Sequence, residues 1–183
     1  MTDNGQQLFL LLGRETRKYN SCRQMARLCR RYHVPFAVDC AQSAGRLPVS
    51  LKDWGADFIA MPGHKGLLGP MGTGLLLCGR VPQPLLRGGT GSQSARLEMP
   101  DYLPDAGEAG TANVPGIAGL AAGIAYVRKE DPARIFQREH RQMLRCVKGL
   151  ENRGFQIFHG EHQSGTVSFV PRMDCEEMAT RLA

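Results

Sequence analysis

FAVDCAQSAGRLPVSLKDWGADFIAMPGHK, residues 36–65, holds two short apolar runs, each followed by a polar side chain. The first, Phe36 to Val38, leads directly to Asp39, and the second, Asp57 to Met61, leads to Lys65. Continuous apolar runs of this length are typical of strands buried in a parallel sheet. The segment between them is long enough for the crossover that joins parallel strands. The stretch therefore predicts an α/β sheet with Asp39 and Lys65 at one edge, where open α/β sheets bind ligands.

Helices and further strands flank this unit. Residues 8–12 predict another buried strand, and residues 51–54 predict a short helical turn. From Ser21 the apolar residues recur at helical spacing, which predicts a helix that ends before Pro35. Leu75 to Cys78 predicts a third strand of the unit, and its glycine-rich connection is too short for a parallel crossover. We therefore expect that strand to be antiparallel.

The second half of the chain predicts mainly helices. Asn113 should cap a helix over 117–127, whose residues are apolar nearly all round and should be buried. Asp131 and Pro132 should begin a long helix that ends before Gly154. Five apolar residues of that helix should face inward, namely Ile135, Phe136, Met143, Val147 and Leu150. Residues 155–158 and 166–170 predict strands, and Asp174 should open a last helix with Glu177 in a capping box.

Length and composition bound the class of protein. The chain has 183 residues and a mass of 20.1 kDa, which fits one domain, or one and a part. Hydrophobic residues make up 42% and charged residues 22%, which argues against disorder. No apolar run approaches the roughly 18–20 residues that cross a bilayer, and no signal peptide is recognisable. These features predict a soluble, cytoplasmic protein.

The charge balance is basic, at +6 for the whole chain. Basic residues cluster near the first predicted helix, at Arg14, Arg17, Lys18, Arg23, Arg27, Arg30 and Arg31. Such a face could meet phosphate or an acidic partner, and a solvated helix surface is the plainer interpretation. No aromatic stacking platform or nucleic-acid motif accompanies it, so we expect no nucleic-acid partner.

Cysteine and histidine spacing favours no metal site. The six cysteines are widely scattered and form no CxxC pair, which favours reduced thiols and argues against a zinc ribbon. His159 and His162 flank Glu161 in a predicted loop, where a surface turn is the simpler interpretation than a metal site.

Asp39 and Lys65, placed at one sheet edge, suit pyridoxal phosphate. A lysine forms the Schiff base with this cofactor, and a carboxylate keeps its pyridine nitrogen protonated so that the ring can act as an electron sink. Further candidates accompany them: His64 next to the lysine, Gln42 three residues after Asp39, and the segment 108–113 just before a helix N-terminus that could hold an anion.

Three motifs carry a resemblance to a known family. They are Val38-Asp39-Cys40-Ala41-Gln42-Ser43-Ala44-Gly45, Gly63-His64-Lys65-Gly66-Leu67-Leu68-Gly69-Pro70 and Glu108-Ala109-Gly110-Thr111-Ala112-Asn113. In this order and spacing the chain resembles the class V aminotransferases, which are fold-type I pyridoxal phosphate enzymes. The branch it resembles most is that of the cysteine desulfurases and selenocysteine lyases. The resemblance runs from about Ser21 to the end.

The resemblance implies a role for each motif residue. Lys65 would be the catalytic Schiff-base lysine, and Asp39 would pair with the pyridinium nitrogen. Gln42 would bind the cofactor's phenolic oxygen. His64 would lie against the cofactor phosphate and assist Lys65 in catalysis. Thr111 would bind the phosphate of a neighbouring subunit, which implies a homodimer with shared sites.

The resemblance also implies a partial fold. We expect residues 1–20 to be an atypical N-terminal segment and residues 21–130 to be the remainder of the cofactor-binding large domain. Residues 131–183 should be a connecting helix and a partial α+β small domain. The upstream half of the large domain is expected to be absent, and so is the sulfur-accepting cysteine near the other end. Pro62 replaces the serine or threonine that commonly donates to the phosphate.

These expectations leave three interpretations open. The chain resembles an enzyme that removes sulfur from L-cysteine or acts on a related amino acid, although it is expected to be incomplete and inactive by itself. It could instead be a non-enzymatic binding or regulatory module that pairs with a full-length subunit. A weaker alternative is a basic nucleic-acid-binding domain that uses the arginines of residues 23–31.

Overall fold

Two small sheets and five α-helices make up the computed structural model, which describes residues 9–12, 18–89, 93, 96, 98–160 and 165–183. The strands are β1 Phe9–Leu12, β2 Phe36–Asp39, β3 Phe58–Pro62, β4 Gly74–Cys78, β5 Ile157–Phe158 and β6 Ser168–Phe169. The helices are α1 Lys18–Arg31, α2 Leu51–Trp54, α3 Val114–Glu130, α4 Pro132–Glu151 and α5 Cys175–Leu182.

The larger sheet has the order β1-β2-β3-β4. β1, β2 and β3 are parallel, and β4 is antiparallel to β3. This arrangement confirms the predicted mixture, because the short glycine-rich connection into β4 leaves no length for a crossover. In the register, Asp39 lies opposite Ala60, so β2 and β3 end at the same edge of the sheet.

One face of this sheet forms the core. Phe36 and Val38 of β2 and Ile59 and Met61 of β3 are buried on that face. Helix α1 covers them with the residues that the helical spacing predicted to face inward, and its fully buried positions are Cys22, Ala26 and Cys29. On the other face Ala60 is exposed, and its partner Leu76 keeps 54% of its surface exposed.

Helix α3 differs from the prediction in its burial. Asn113 caps it as expected, since its Oδ1 accepts the Gly116 N–H at 3.1 Å. Only one side is covered, however: Leu120 and Val127 are buried, whereas Ile117 is 51% exposed. The prediction of a helix buried all round is wrong for this chain, because the described elements pack against one side of α3 only.

The C-terminal part follows the predicted order. Asp131 caps α4 through the Ala133 N–H at 3.0 Å, and Met143 and Val147 are buried as predicted. The strands β5 and β6 pair antiparallel and are shorter than the predicted runs. Asp174 caps α5 as expected. The Glu177 carboxylate, predicted to complete a capping box, instead accepts from the Arg181 guanidinium at 2.6 Å.

A close backbone contact fixes the turn after β2 against the loop after β3. Gly45 has φ +80°, and a Cβ built on it would lie 1.9 Å from the Gly66 carbonyl oxygen. A side chain at Gly66 would in turn meet the Ala44 carbonyl oxygen at 2.1 Å. Only glycine permits this approach, so the pair sets the distance between the two segments that carry Asp39 and Lys65.

Cys40, the residue after Asp39, is completely buried in the core. Burial raises the pKa of its thiol from 9.0 to about 11, although a hydrogen bond with Ser43 acts in the opposite direction. Cys146 and Cys175 are exposed, and none of the six cysteines, which all lie in the described ranges, forms a disulfide. The structure therefore separates the thiol beside Asp39, which is inert, from two accessible ones.

Replacing Gly45 by alanine should destabilise the fold by about 3 kcal/mol. The cost combines a left-handed backbone at a non-glycine residue with overpacking against the Gly66 carbonyl. Gly72→Ala is the matched control, because Gly72 has φ +75° but nothing lies within 4 Å of the position that its Cβ would take. It should cost only about 1 kcal/mol. Urea unfolding measures both, and equal losses would contradict the contact between Gly45 and Gly66.

Cys40 should react with iodoacetamide about a hundredfold more slowly in the folded chain than in urea, because its raised pKa keeps the thiol protonated. Cys146 and Cys175 should be alkylated at ordinary rates, as peptide mass mapping at pH 8.5 would reveal. The pKa of the Cys40 thiol is 9.0 in the unfolded chain and about 11 in the folded chain, so the thiol loses its proton at lower pH when the chain is unfolded. The free energy of unfolding should therefore fall as the pH rises from 9.0 toward 11. Equal labelling of Cys40 and Cys146 would rule out this burial.

Candidate active site

Asp39 is the last residue of β2, and its side chain is half-buried. Its Oδ1 accepts the Ala41 N–H at 2.7 Å, and this bond holds the carboxylate at the start of the following turn. The adjacent Cys40 N–H donates to the Ala60 carbonyl at 2.8 Å, so the β2–β3 ladder continues to the edge. The carboxylate is therefore fixed at the carboxyl end of a parallel strand.

His64 and Lys65 lie in a tight loop that follows β3. Backbone bonds close the loop: Gly63 N–H donates to the Thr73 carbonyl at 2.7 Å, and Gly69 N–H donates to the Gly63 carbonyl at 2.8 Å. The Lys65 carbonyl accepts the Leu68 N–H at 3.0 Å. The side chains of His64 and Lys65 are both exposed. The backbone is thus well determined, while the amine and the imidazole face the surroundings.

Adjacent parallel strands bring Asp39 and the Lys65 loop to one sheet edge. The contact between Gly45 and Gly66 joins the two segments directly beyond that edge. Gln42 lies on the same turn with an exposed side chain, and its carbonyl accepts from Arg46 at 3.4 Å. The strand arrangement predicted from the sequence is therefore present. The roles of Asp39, Gln42, His64 and Lys65 remain predictions.

Two neighbouring cavities open near the sheet edge, and Asp39 lines the first of them. The first, the Asp39 cavity, has a volume of about 730 Å³ and is lined by Asp39, Ala60 and Glu108 among others. The second, the Thr111 cavity, has about 660 Å³ and includes Thr111 and Ile117. Glu108 contributes to both, so the two cavities adjoin at the start of the segment 108–113, while Thr111 lines only the second one. Neither of these two cavities is lined by His64 or Lys65.

The donor set at this edge fits pyridoxal phosphate. The fixed Asp39 carboxylate is suited to a protonated ring nitrogen, and an amine on the neighbouring strand's loop is suited to the cofactor's carbonyl carbon. The imidazole of His64 and the hydroxyl of Thr111 are suited to a phosphate. Pro62, where a hydroxyl was expected, ends β3 and lines the Asp39 cavity with no donor of its own.

Arg46 and Glu139 form a link that sequence reasoning missed. Arg46 Nε donates to Glu139 Oε1 at 3.0 Å and lies 2.8 Å from Oε2, so the turn after β2 is tied to α4. Both side chains are roughly three-tenths exposed. The two residues stand 93 positions apart, and no local pattern signals such a pair.

Metal and membrane features are absent from the described residues. No group of three or more His, Cys, Asp or Glu side chains in these ranges is placed to hold a metal ion. Of the predicted loop 159–162, only residues 159 and 160 lie within the part of the chain that the structure describes. None of the helices described is both long and apolar enough to span a bilayer.

Comparison with known proteins points to one family. The profile of the family described as Aminotransferase class-V matches residues 16–183. The chain is 36% identical over 160 residues to a probable cysteine desulfurase of Pyrococcus abyssi, a match that covers 80% of this chain and 39% of that protein. A probable cysteine desulfurase of Methanothermobacter thermautotrophicus is 38% identical over 120 residues, which cover 62% of this chain and 30% of that protein.

Solved structures of the same class resemble the fold. The apo cysteine desulfurase of Thermococcus onnurineus NA1 superposes with a TM-score of 0.74 at 33% identity, covering 88% of this chain and 43% of that one. Alanine–glyoxylate aminotransferase from Nostoc sp. superposes with a TM-score of 0.67 at 18% identity, covering 96% of this chain and 49% of that one, which indicates a shared fold alone.

The chain thus matches between 30% and 43% of the length of these cysteine desulfurases. The fold is that of part of a fold-type I pyridoxal phosphate enzyme, as the resemblance predicted. The family profile covers more than nine-tenths of the residues, including all three motifs. By its sequence profile, its relatives and its fold, the chain belongs to the class V aminotransferase family and is cysteine desulfurase-like.

Proposed function

We propose that this chain forms the cofactor-binding part of a pyridoxal phosphate-dependent enzyme that removes sulfur from L-cysteine. The observation that carries the proposal is the placement of Asp39 and Lys65 after adjacent parallel strands, joined by the Gly45–Gly66 contact. The relatives named as probable cysteine desulfurases support the choice of substrate. When bound, the cofactor would supply an electron sink that weakens bonds at the substrate's α-carbon.

Each residue would have a distinct task at this site. Asp39 would hold a proton on the ring nitrogen through its carboxylate, which the Ala41 N–H already orients. The Lys65 amine would be the covalent attachment point and would later move a proton at the substrate. Gln42 would donate a hydrogen bond to the ring's oxygen. His64 and Thr111 would bind phosphate, Thr111 that of the neighbouring subunit.

The same proposal assigns the chain to a dimer. Thr111 and the start of α3 lie on an exposed surface, and Ile117, which lines the Thr111 cavity, is 51% exposed. Val114, on the same helix, is 67% exposed, and neighbouring exposed apolar residues are typical of a protein interface. We place the subunit contact at the segment 108–117, where it would bring Thr111 to the partner's phosphate.

Turnover requires groups beyond those at the sheet edge that carries Asp39 and the Lys65 loop, which we call the cofactor edge. A desulfurase needs a thiolate that attacks the substrate sulfur, and an anchor for the substrate carboxylate. Cys175 begins α5 and is exposed, and we assign it no catalytic task. We therefore propose that the chain binds cofactor and that cysteine desulfuration requires complementation by the parts of the relatives that it does not span.

Lys65→Ala should abolish covalent attachment of pyridoxal phosphate, because no other amine is carried by the loop at the cofactor edge. The measurement is borohydride reduction of the loaded chain, followed by peptide mass mapping of the modified lysine. Lys52→Ala is the matched control, since Lys52 is an exposed lysine on α2 away from this edge, and it should leave attachment unchanged. Asp39→Asn should retain attachment while weakening cofactor binding roughly tenfold, through loss of a charged hydrogen bond. Modification spread over several lysines, unaffected by Lys65→Ala, would refute the cofactor assignment.

Ile117→Glu should shift the chain toward the monomer, raising the dimer dissociation constant at least about tenfold, because a charge would be buried in the proposed contact. Analytical ultracentrifugation across a concentration series gives this constant. Leu144→Glu serves as control, since Leu144 is an exposed apolar residue on α4. A wild-type chain that stays monomeric at high concentration, or equal effects of both variants, would exclude this interface.

A further inference from the structure

A third, smaller cavity lies at the end of the large sheet opposite Asp39. It has a volume of about 310 Å³, and Arg30, His33, Asp57 and Arg80 are among its lining residues. Asp57 immediately precedes β3, and Arg80 follows the antiparallel β4, so both lie where the parallel strands begin. We call this the arginine cavity. No step proposed for the cofactor edge uses it.

Asp57 has its own partners in this cavity. Its Oδ2 accepts the Phe36 N–H at 2.8 Å, and its Oδ1 lies 3.7 Å from the Arg80 Nε. The Arg80 guanidinium also lies over the Phe58 ring, with 5.5 Å between its central carbon and the ring centroid. Asp57 therefore offsets one positive charge of the cavity, and its bond to Phe36 gives it a structural task.

The second guanidinium, that of Arg30, is exposed to solvent. Within the described residues no hydrogen bond or ion pair engages its side chain, and the same is true of the His33 imidazole. Arg30 Nη2 lies 3.2 Å from the position that a Cβ on Gly55 would occupy, so the guanidinium sits directly against the backbone at Gly55. His33 is held in place by its backbone N–H, which donates to the Arg30 carbonyl at 3.2 Å.

The surroundings add positive charge. Arg23, Arg27, Arg30 and Arg31 project from one side of α1, and the helix contains no acidic residue. The helix dipole places roughly half a negative charge at the C-terminus of α1, which repels an anion bound there. The same partial charge stabilises a basic residue in the last turn of the helix. That effect explains Arg30 but not Arg80, which comes from another element and faces the same cavity. Two guanidiniums exceed the charge of Asp57 and the helix end together.

We propose that the arginine cavity binds a compact dianion, specifically a phosphate group, between Arg30, Arg80 and His33. Guanidinium groups present paired N–H donors that match phosphate oxygens, and a tetrahedral dianion can accept from donors in three directions at once. A planar carboxylate would engage one guanidinium fork and leave the other donors unused. The flanking arginines Arg27 and Arg31 would raise the local concentration of anions.

The experiment is an NMR titration of the ¹⁵N-labelled full chain with inorganic phosphate and, separately, with glycerol phosphate. Saturable shifts should appear at the Nε–Hε groups of Arg30 and Arg80. Arg30→Gln should weaken binding roughly tenfold, as expected for the loss of a charged hydrogen-bond partner. Arg27→Gln removes the same charge one turn earlier on the same helix and lines no part of this cavity. It should weaken binding by about twofold or less.

The possible outcomes distinguish the source of the phosphate and also include results that would overturn the proposal. Tighter binding of inorganic phosphate assigns the cavity to free phosphate, tighter binding of glycerol phosphate assigns it to the phosphoryl group of a small metabolite, and equal binding shows that the phosphate group alone is recognised. Equal losses in Arg30→Gln and Arg27→Gln would reduce the effect to diffuse attraction and overturn the proposal. Saturation that Arg30→Gln leaves unchanged would place the phosphate elsewhere, including at the cofactor edge, and would overturn it as well. None of these results depends on covalent attachment at Lys65.

Discussion

The parallel pairing of β2 with β3 is the constraint on which the site depends. It aligns the ends of two strands, so that a carboxylate from one and an amine-bearing loop from the other emerge at the same edge. The two glycines beyond the strands then allow the segments to approach closely, since neither Gly45 nor Gly66 leaves room for a side chain. The strand pairing sets the direction in which the two segments leave the sheet, and the backbone contact sets the distance between them.

Local patterns were enough to predict most elements of this part of the fold. The helical spacing at residues 22–29 identified the buried side of α1, and Asn113, Asp131 and Asp174 identified three helix starts. The glycine-rich connection before β4 fixed the antiparallel direction of that strand because connection length limits topology. Strand ends were less predictable: β5 and β6 are shorter than their apolar runs, since ladder pairing and not composition decides where a strand stops.

What the sequence did not predict depends on contacts between distant residues. The composition of α3 is apolar on all sides, yet only the side with Leu120 and Val127 is covered, because burial depends on which neighbours are present. The ion pair between Arg46 and Glu139 and the arginine cavity likewise join residues from separate elements. The candidate residues of the cofactor edge were identifiable because short motifs mark them, whereas the cavities that surround Asp39 and Thr111 were not.

β1 and β4 are the two edge strands of the large sheet, and within the described residues no strand pairs with the outer side of β4. Its residues Leu75, Leu76 and Leu77 are apolar on both faces, and no charged side chain interrupts the strand. Such an edge is a template for another strand, and native proteins usually protect it with charges or a covering segment. An uncovered β4 therefore offers one place where a strand of a neighbouring molecule can pair, either in ordered assembly or in precipitation. Replacing Leu76 by lysine would place a charge on this strand and so disfavour precipitation.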